Sequence, residues 1–266
     1  MPILTSARVG IIGLGTIGRI VASQLGHGAA AGCRLECIVD SRPIESPPAP
    51  QIAFGEALTR CDVIIECAGQ QTVHDHAENI LDAGIDLLIS SVGALADPGL
   101  ERRLSAKTHG RLFLTPGAIG GLDILSAAAA AASFDKVRVT TSKLPHALVQ
   151  DWMTPEESAR IAAADSPYVV FTGSAREAAT RFPRSLNVAA SVSIAVGDWD
   201  CVEVTAIADP AATLTSHVID AAGPAGTYRF DIQNRPLADN PRTSGVVPYA
   251  IVSSLRSIIG SGGGFI

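Results

Sequence analysis

Positive charge is scarce in this chain of 266 residues, which holds only three lysines and has 20 Lys and Arg against 26 Asp and Glu, a net charge of −6. That balance argues against a nucleic-acid partner, because phosphate binders gather basic residues on one face and no Lys/Arg run occurs here. Also missing is an apolar window of about 18 residues without polar interruption, so no membrane span is expected. The longest candidate, 124–134, is a short Ala-rich stretch. The segment Met1-Pro2-Ile3-Leu4-Thr5-Ser6-Ala7-Arg8 has no basic region followed by an apolar run, so no secretory signal is expected and the cytoplasm is the expected compartment. Five cysteines (Cys33, Cys37, Cys61, Cys67, Cys201) are an odd number without CxxC spacing. They point to reduced, mostly buried thiols rather than a disulfide frame or a zinc site.

Apolar residues are plentiful at 47%, with only 17% charged, so a large core is available and most of the chain should be ordered. The length suggests one large domain or two interlocked ones. The apolar runs Arg8–Gly13, Leu35–Asp40, Val63–Cys67, Leu87–Ser90 and Leu112–Leu114 alternate with segments of helical spacing such as Val73–Ala83. Strands alternating with helices imply a parallel sheet with right-handed crossovers. Between them, the proline-rich stretch 41–50 should be an exposed, mobile loop.

After Pro116 the period changes. Residues 137–141, 201–207, 214–221 and 227–232 alternate with a period of two, as in a mixed or antiparallel sheet covered on one face. Helices over 175–181 and 186–196 would cover it, and a last helix over 247–259 precedes a glycine-rich tail.

Gly13-x-Gly15-x-x-Gly18 follows the first strand, opens a helix, and is answered 22 residues beyond Gly18 by Asp40 at the end of the second strand. That is the context of a dinucleotide site. Gly13 permits the turn, Gly15 admits the pyrophosphate, Gly18 lets helix and sheet pack closely, and Thr16 and Ile17 offer helix-terminal N–H groups to phosphate. Asp40 would take both ribose hydroxyls and favours NAD. Arg42 could instead clasp the 2′-phosphate of NADP, or be a solvated loop residue. Ala68, in Cys67-Ala68-Gly69, lies at the same carboxyl edge, where small residues leave room for the cofactor. His74 and His76 are two apart on a helix and face different ways, so they read as solvated and no metal site is expected.

Several blocks in register across nearly the whole chain resemble the L-aspartate dehydrogenase family: Ser91-Val92-Gly93-Ala94-Leu95-Ala96-Asp97, Pro116-Gly117-Ala118-Ile119-Gly120-Gly121-Leu122-Asp123, Gly173–Ala179 with Phe182-Pro183, Asn187-Val188-Ala189-Ala190, and Asn240-Pro241-Arg242-Thr243-Ser244. The resemblance implies an α/β protein with a Rossmann dinucleotide-binding domain (1–116 plus 241–266) and a second α+β domain (117–240). It implies NAD(P)-dependent oxidation of L-aspartate through iminoaspartate to oxaloacetate and ammonia, possible supply of NAD synthesis, and a homodimer. It assigns catalysis to His217, with Thr215 where the family usually has Asn, and gives Ala118 and Asn187 to the cofactor. A histidine suits the chemistry because a group titrating near neutral pH can take the ammonium proton and later activate water. Two substrate carboxylates call for cations, of which Lys143 is one candidate and Arg242, with Thr243 and Ser244, a second. The alternatives are a homoserine dehydrogenase-like or dihydrodipicolinate reductase-like enzyme, and a non-catalytic dinucleotide sensor.

Overall fold

The computed structural model describes residues 6–260. The first residues of the amino-terminal segment and most of the glycine-rich tail lie outside them. The chain divides into two units, one running through Gly117 and resuming at Val247, the other Ala118–Val246.

The first unit runs β1 (Ala7–Ile12), α1 (Thr16–Gly26), β2 (Cys33–Val39), α2 (Phe54–Arg60), β3 (Val63–Glu66), α3 (Gln70–Asp82), β4 (Asp86–Ile89), α4 (Pro98–Ser105) and β5 (Leu112–Leu114). The strands form one sheet in the order β2-β1-β3-β4-β5, with every pairing parallel. Strands buried on both faces need continuous apolar runs, and Val63, Ile64, Ile65, Leu87, Leu88 and Ile89 are all buried. The closing helix, Val247–Ile259, returns to this unit and seats Ile251, Val252 and Leu255 in the core with Val21 and Leu25 of α1. Each such side chain contributes roughly 1.5–3 kcal/mol by leaving water.

The second unit contains α5 (Leu122–Ala131), β6 (Lys136–Lys143), α6 (Pro155–Ala162), β7 (Tyr168–Ser174), α7 (Ala175–Arg181), α8 (Asn187–Val196), β8 (Val202–Ala208), β9 (Thr215–Gly223), β10 (Gly226–Asn234), β11 (Pro236–Leu237) and β12 (Asn240–Ser244). The five longer strands make a mixed sheet in the order β10-β9-β6-β8-β7, in which only β6 and β8 are parallel. This is the α/β architecture with a second mixed-sheet domain that the period change implied. Strand β7 and helices α2, α4, α5 and α6 were not foreseen, since each is short or broken in pattern. Residues 241–246, expected with the dinucleotide-binding domain, belong to the second unit, because β12 pairs with β11 before the closing helix begins.

Two local expectations change. The 41–50 loop is largely exposed but tied at its base, where Gln51 accepts from Ile44 N–H and donates to the Asp40 and Arg42 carbonyls. His76 stacks on Phe54 with ring centroids 4.0 Å apart, so it packs rather than standing free. All five cysteines are free thiols, but only Cys37 and Cys61 are buried; the other three are half-buried. Among the described residues no helix is long and apolar enough to cross a membrane.

Candidate active site

The cofactor signature lies at the carboxyl edge of the parallel sheet. Gly13 has φ +90°, and a Cβ there would fall 2.7 Å from Ala68, so neither a side chain nor a larger neighbour is tolerated. A Cβ on Gly18 would collide with the Gly13 carbonyl. Gly15, by contrast, has no neighbour within 4 Å of where its Cβ would be. That opening is what a pyrophosphate needs to reach the backbone. Gly15 precedes α1, and no side chain caps the first turn, which leaves the Thr16 and Ile17 end of the helix for an anion.

Asp40 is held in place at the end of β2. One carboxylate oxygen accepts from Leu14 N–H at 2.8 Å, which fixes the glycine turn, and the other accepts from Arg42 N–H at 3.0 Å. The Arg42 guanidinium lies over the same carboxylate at 3.2 Å, with its own side chain 72% exposed. Burial alone would raise the Asp40 pKa, but the Arg42 and Leu14 bonds together bring it down to about 2. Asp40 is therefore an anion throughout the working range. The residues present fit a nicotinamide dinucleotide: an open phosphate cradle, a helix terminus, and a fixed carboxylate for the ribose.

Glu66, at the end of β3, was not foreseen. Its buried carboxylate accepts from the N–H groups of Ala68 and Gly69 at 2.7 Å each and of Ser91 at 3.0 Å, and from Ser91 Oγ at 3.0 Å. Burial raises its pKa despite these bonds. It thereby joins the loops after β3 and β4, including the Ala68 that meets Gly13. The only signal in the sequence was an acid ending the apolar run Val63-Ile64-Ile65.

In the second unit the covered face of the mixed sheet changes character along its length. At one end it carries Val137, Val139, Val202, Val204, Ile219 and Ala221; at the other, Thr141, Lys143, Thr215 and His217, all buried. His217 is directly opposite Thr141 in the register, and its Nδ1 lies 3.0 Å from Thr141 Oγ1. Nε2 has no hydrogen-bond partner among the described residues. Burial, and secondarily the charge of Lys143, push the His217 pKa down to about 3. The near-neutral titration expected of it is thus not a property of this structure, because the ring is 1% exposed and faces a cation.

The other assigned residues divide. Thr215 shares the face of His217, and its cross-strand partner Asn234 donates from Nδ2 to the Ala118 carbonyl at 2.8 Å. Asn187 is the first residue of α8. Lys143 Nζ donates to the carbonyls of Ser185 and Arg242, each at 3.1 Å. Arg242 thus meets this cluster through its backbone rather than its guanidinium. Thr243 Oγ1 accepts from Asn240 Nδ2 at 3.2 Å and serves the local turn. Among the described residues there is no group of three or more metal-ligating side chains.

The first unit carries the glycine turn and strand-end acid expected of a nicotinamide-dinucleotide domain, and the second a buried His–Thr pair beside a lysine, the features of the nicotinamide-dependent oxidoreductase class. Comparison with known proteins makes that specific. The aspartate dehydrogenase C-terminal family model matches residues 123–258, and the homoserine dehydrogenase NAD-binding model matches 13–115. The chain is 39% identical over 201 residues to L-aspartate dehydrogenase of Pseudomonas aeruginosa, covering 74% of this chain and 73% of that one. It is 36% identical over 262 residues to L-aspartate dehydrogenase 2 of Bordetella pertussis, covering 94% and 96%. The crystal structure of aspartate dehydrogenase from Thermotoga maritima superposes with a TM-score of 0.77 at 27% identity, over 97% of this chain and 99% of that one. The chain belongs to the L-aspartate dehydrogenase family, and it is an NAD(P)-dependent oxidoreductase acting on a CH–NH2 group.

Proposed function

We propose that this protein oxidises L-aspartate to iminoaspartate, which either hydrolyses to oxaloacetate and ammonia or leaves for pyridine-nucleotide synthesis, the reaction being reversible. The observation that carries this reading is the His217–Thr141 pair on the same buried face as Lys143, in a chain whose relatives bear that name over most of their length. A bound nicotinamide supplies the acceptor for the hydride leaving Cα. The chain's own residues hold the substrate and move protons.

With Nδ1–H donating to Thr141 Oγ1, Nε2 is the bare nitrogen and takes the proton that the substrate ammonium must lose before hydride can depart. The low basicity of His217 comes first from burial and is relieved in part when substrate binds. A substrate with two carboxylates brings negative charge that offsets Lys143, one of the two causes of the depressed pKa, so the imidazole gains basicity when the site is loaded. Once that proton has passed to solvent, the same Nε2 takes a proton from the water that attacks the imine carbon and returns it to the substrate nitrogen, and the C–N bond breaks as ammonia leaves. Glycine-turn N–H groups, Asp40, Ala118 and Asn187 are the proposed cofactor contacts, and Thr215 a substrate contact.

Purified protein supplied with L-aspartate, L-homoserine or L-alanine, each with NAD and with NADP, tests the reading by absorbance of the reduced cofactor. Reduction with L-aspartate and not with the others is expected. Preference for L-homoserine would assign the chain to the chemistry named by its NAD-binding half, and cofactor binding without turnover on any amino acid would make it a sensor.

A further inference from the structure

Lys143 ends β6 on the covered face and is 4% exposed. Its ammonium donates to two backbone carbonyls, and among the described residues it has no ion-pair partner. Lysines are almost never fully buried unless paired, because a carbonyl offsets only part of the hydration an ammonium gives up. Burial accordingly brings the Lys143 pKa down to about 8. Two carbonyls also account for two of its three N–H groups, leaving one donor without a described partner. A second buried group lacks a partner nearby in the chain. Ser244 Oγ makes no hydrogen bond, and it lies on β12, the strand whose Arg242 carbonyl Lys143 grips.

A buried cation short of an anion and a buried hydroxyl short of an acceptor call for the same thing, an oxygen anion. We propose that Lys143 Nζ and Ser244 Oγ form the subsite for one carboxylate of the amino-acid substrate. The inference rests on the reading that the substrate is a dicarboxylic amino acid. The ligand supplies two acceptor oxygens, one for the third N–H of Lys143 and one for the Ser244 hydroxyl. The same pairing links binding to catalysis, since the anion that neutralises Lys143 offsets the lesser of the two causes, after burial, that hold the His217 pKa down.

Apart from Lys136, Arg138, Glu203 and Asp220, which lie at the opposite ends of β6, β8 and β9, the charged and titratable side chains on the elements around Lys143 are His217 on β9, Arg242 on β12, Asp209 after β8, Arg184 before α8 and the exposed His146. His217 is held uncharged by burial, so between pH 7 and 9.5 the group expected to change the anion affinity is Lys143.

The test is calorimetric titration of the NADH-loaded full chain with succinate, which keeps both carboxylates and lacks the amine to be oxidised. Affinity should hold near pH 7 and fall about 30-fold by pH 9.5, because the ligand binds the protonated lysine. Lys143→Met should weaken succinate about 30-fold or more with NADH affinity unchanged, and Ser244→Ala about 5-fold. The proposal is overturned if succinate does not bind the wild type, if its affinity is flat across that pH range, or if both variants bind within threefold of wild type. Should Lys143→Met fail to fold, Ser244→Ala and the wild-type pH series decide. Succinate binding as expected in a protein that does not oxidise L-aspartate would retire the proposed reaction and keep the subsite.

Discussion

In the parallel sheet the polar groups proposed to serve function sit at or just past the strand ends, whereas in the mixed sheet they sit within strands, on the face that packs. The first arrangement uses mostly backbone: glycine N–H groups, a helix terminus, and two carboxylates, Asp40 and Glu66, that themselves hold backbone N–H groups. The second uses side chains at alternate positions, Thr141 and Lys143 on β6 with Thr215 and His217 on β9. An edge site tolerates polar groups because water and ligand reach it. A site within the covered face must satisfy each polar atom internally, and burial there pushes the pKa values of His217 and Lys143 down.

The largest effect should therefore come from the mixed sheet. His217→Ala is expected to lower aspartate-dependent NADH formation roughly 10²- to 10⁴-fold, the range for one general acid-base group, while NADH affinity followed by fluorescence stays close to wild type. Retained turnover would move proton transfer to another residue. Loss of cofactor binding in a folded variant would make His217 a nicotinamide contact and blur the division between the two sheets.

Next in size is Glu66→Ala, the corresponding break in the parallel sheet. It strands the N–H groups of Ala68, Gly69 and Ser91 and the Ser91 hydroxyl without their acceptor, and leaving buried donors unmet costs about 1–3 kcal/mol each before relaxation. A loss of about 3 kcal/mol in denaturant unfolding is expected, together with weaker NADH binding, because Ala68 packs against the Gly13 turn. Unchanged stability would mean that water replaces the carboxylate, and that the edge is less dependent on it than the geometry indicates.

These two sites also differ in how far the sequence revealed them. The glycine turn was legible because its demands are steric: a residue at φ +90° against Ala68, and one whose Cβ would meet a carbonyl, leave only glycine. Asp40 followed from its distance beyond that turn. Lys143 entered as a candidate cation for the substrate carboxylates, but its burial was not legible, since a lysine at a strand end is ordinarily exposed. His217 came from family resemblance alone. Glu66 was missed because one acid after three apolar residues looks like a strand ending at the surface. Strand β7 escaped because its bulge between Val169 and Phe171 breaks the alternation.

Cofactor choice is a smaller effect, confined to the parallel sheet. Asp40→Ala removes the ribose acceptor and the brace on Leu14 N–H, so NAD should bind more weakly by about 1–3 kcal/mol, and NADP by less. Arg42→Ala should act the other way, weakening NADP if the guanidinium leaves Asp40 to meet a 2′-phosphate. Titration of each variant with both reduced cofactors separates the two roles. Equal losses for NAD and NADP in Asp40→Ala would reduce that residue to a brace of the turn.

The smallest predicted effect probes the mixed sheet most finely. Thr141→Val keeps the shape of the side chain but removes the oxygen 3.0 Å from His217 Nδ1. One neutral hydrogen bond is worth about 1 kcal/mol, which corresponds to a roughly fivefold fall in kcat, with KM for aspartate and NADH affinity little changed. The bond's value lies in tautomer choice: without an acceptor for Nδ1–H, the imidazole proton can sit on Nε2, where it blocks proton uptake. A loss as large as that of His217→Ala would show that Thr141 and His217 act as one unit. No loss would show that packing alone, in a ring 1% exposed, already holds the histidine ready.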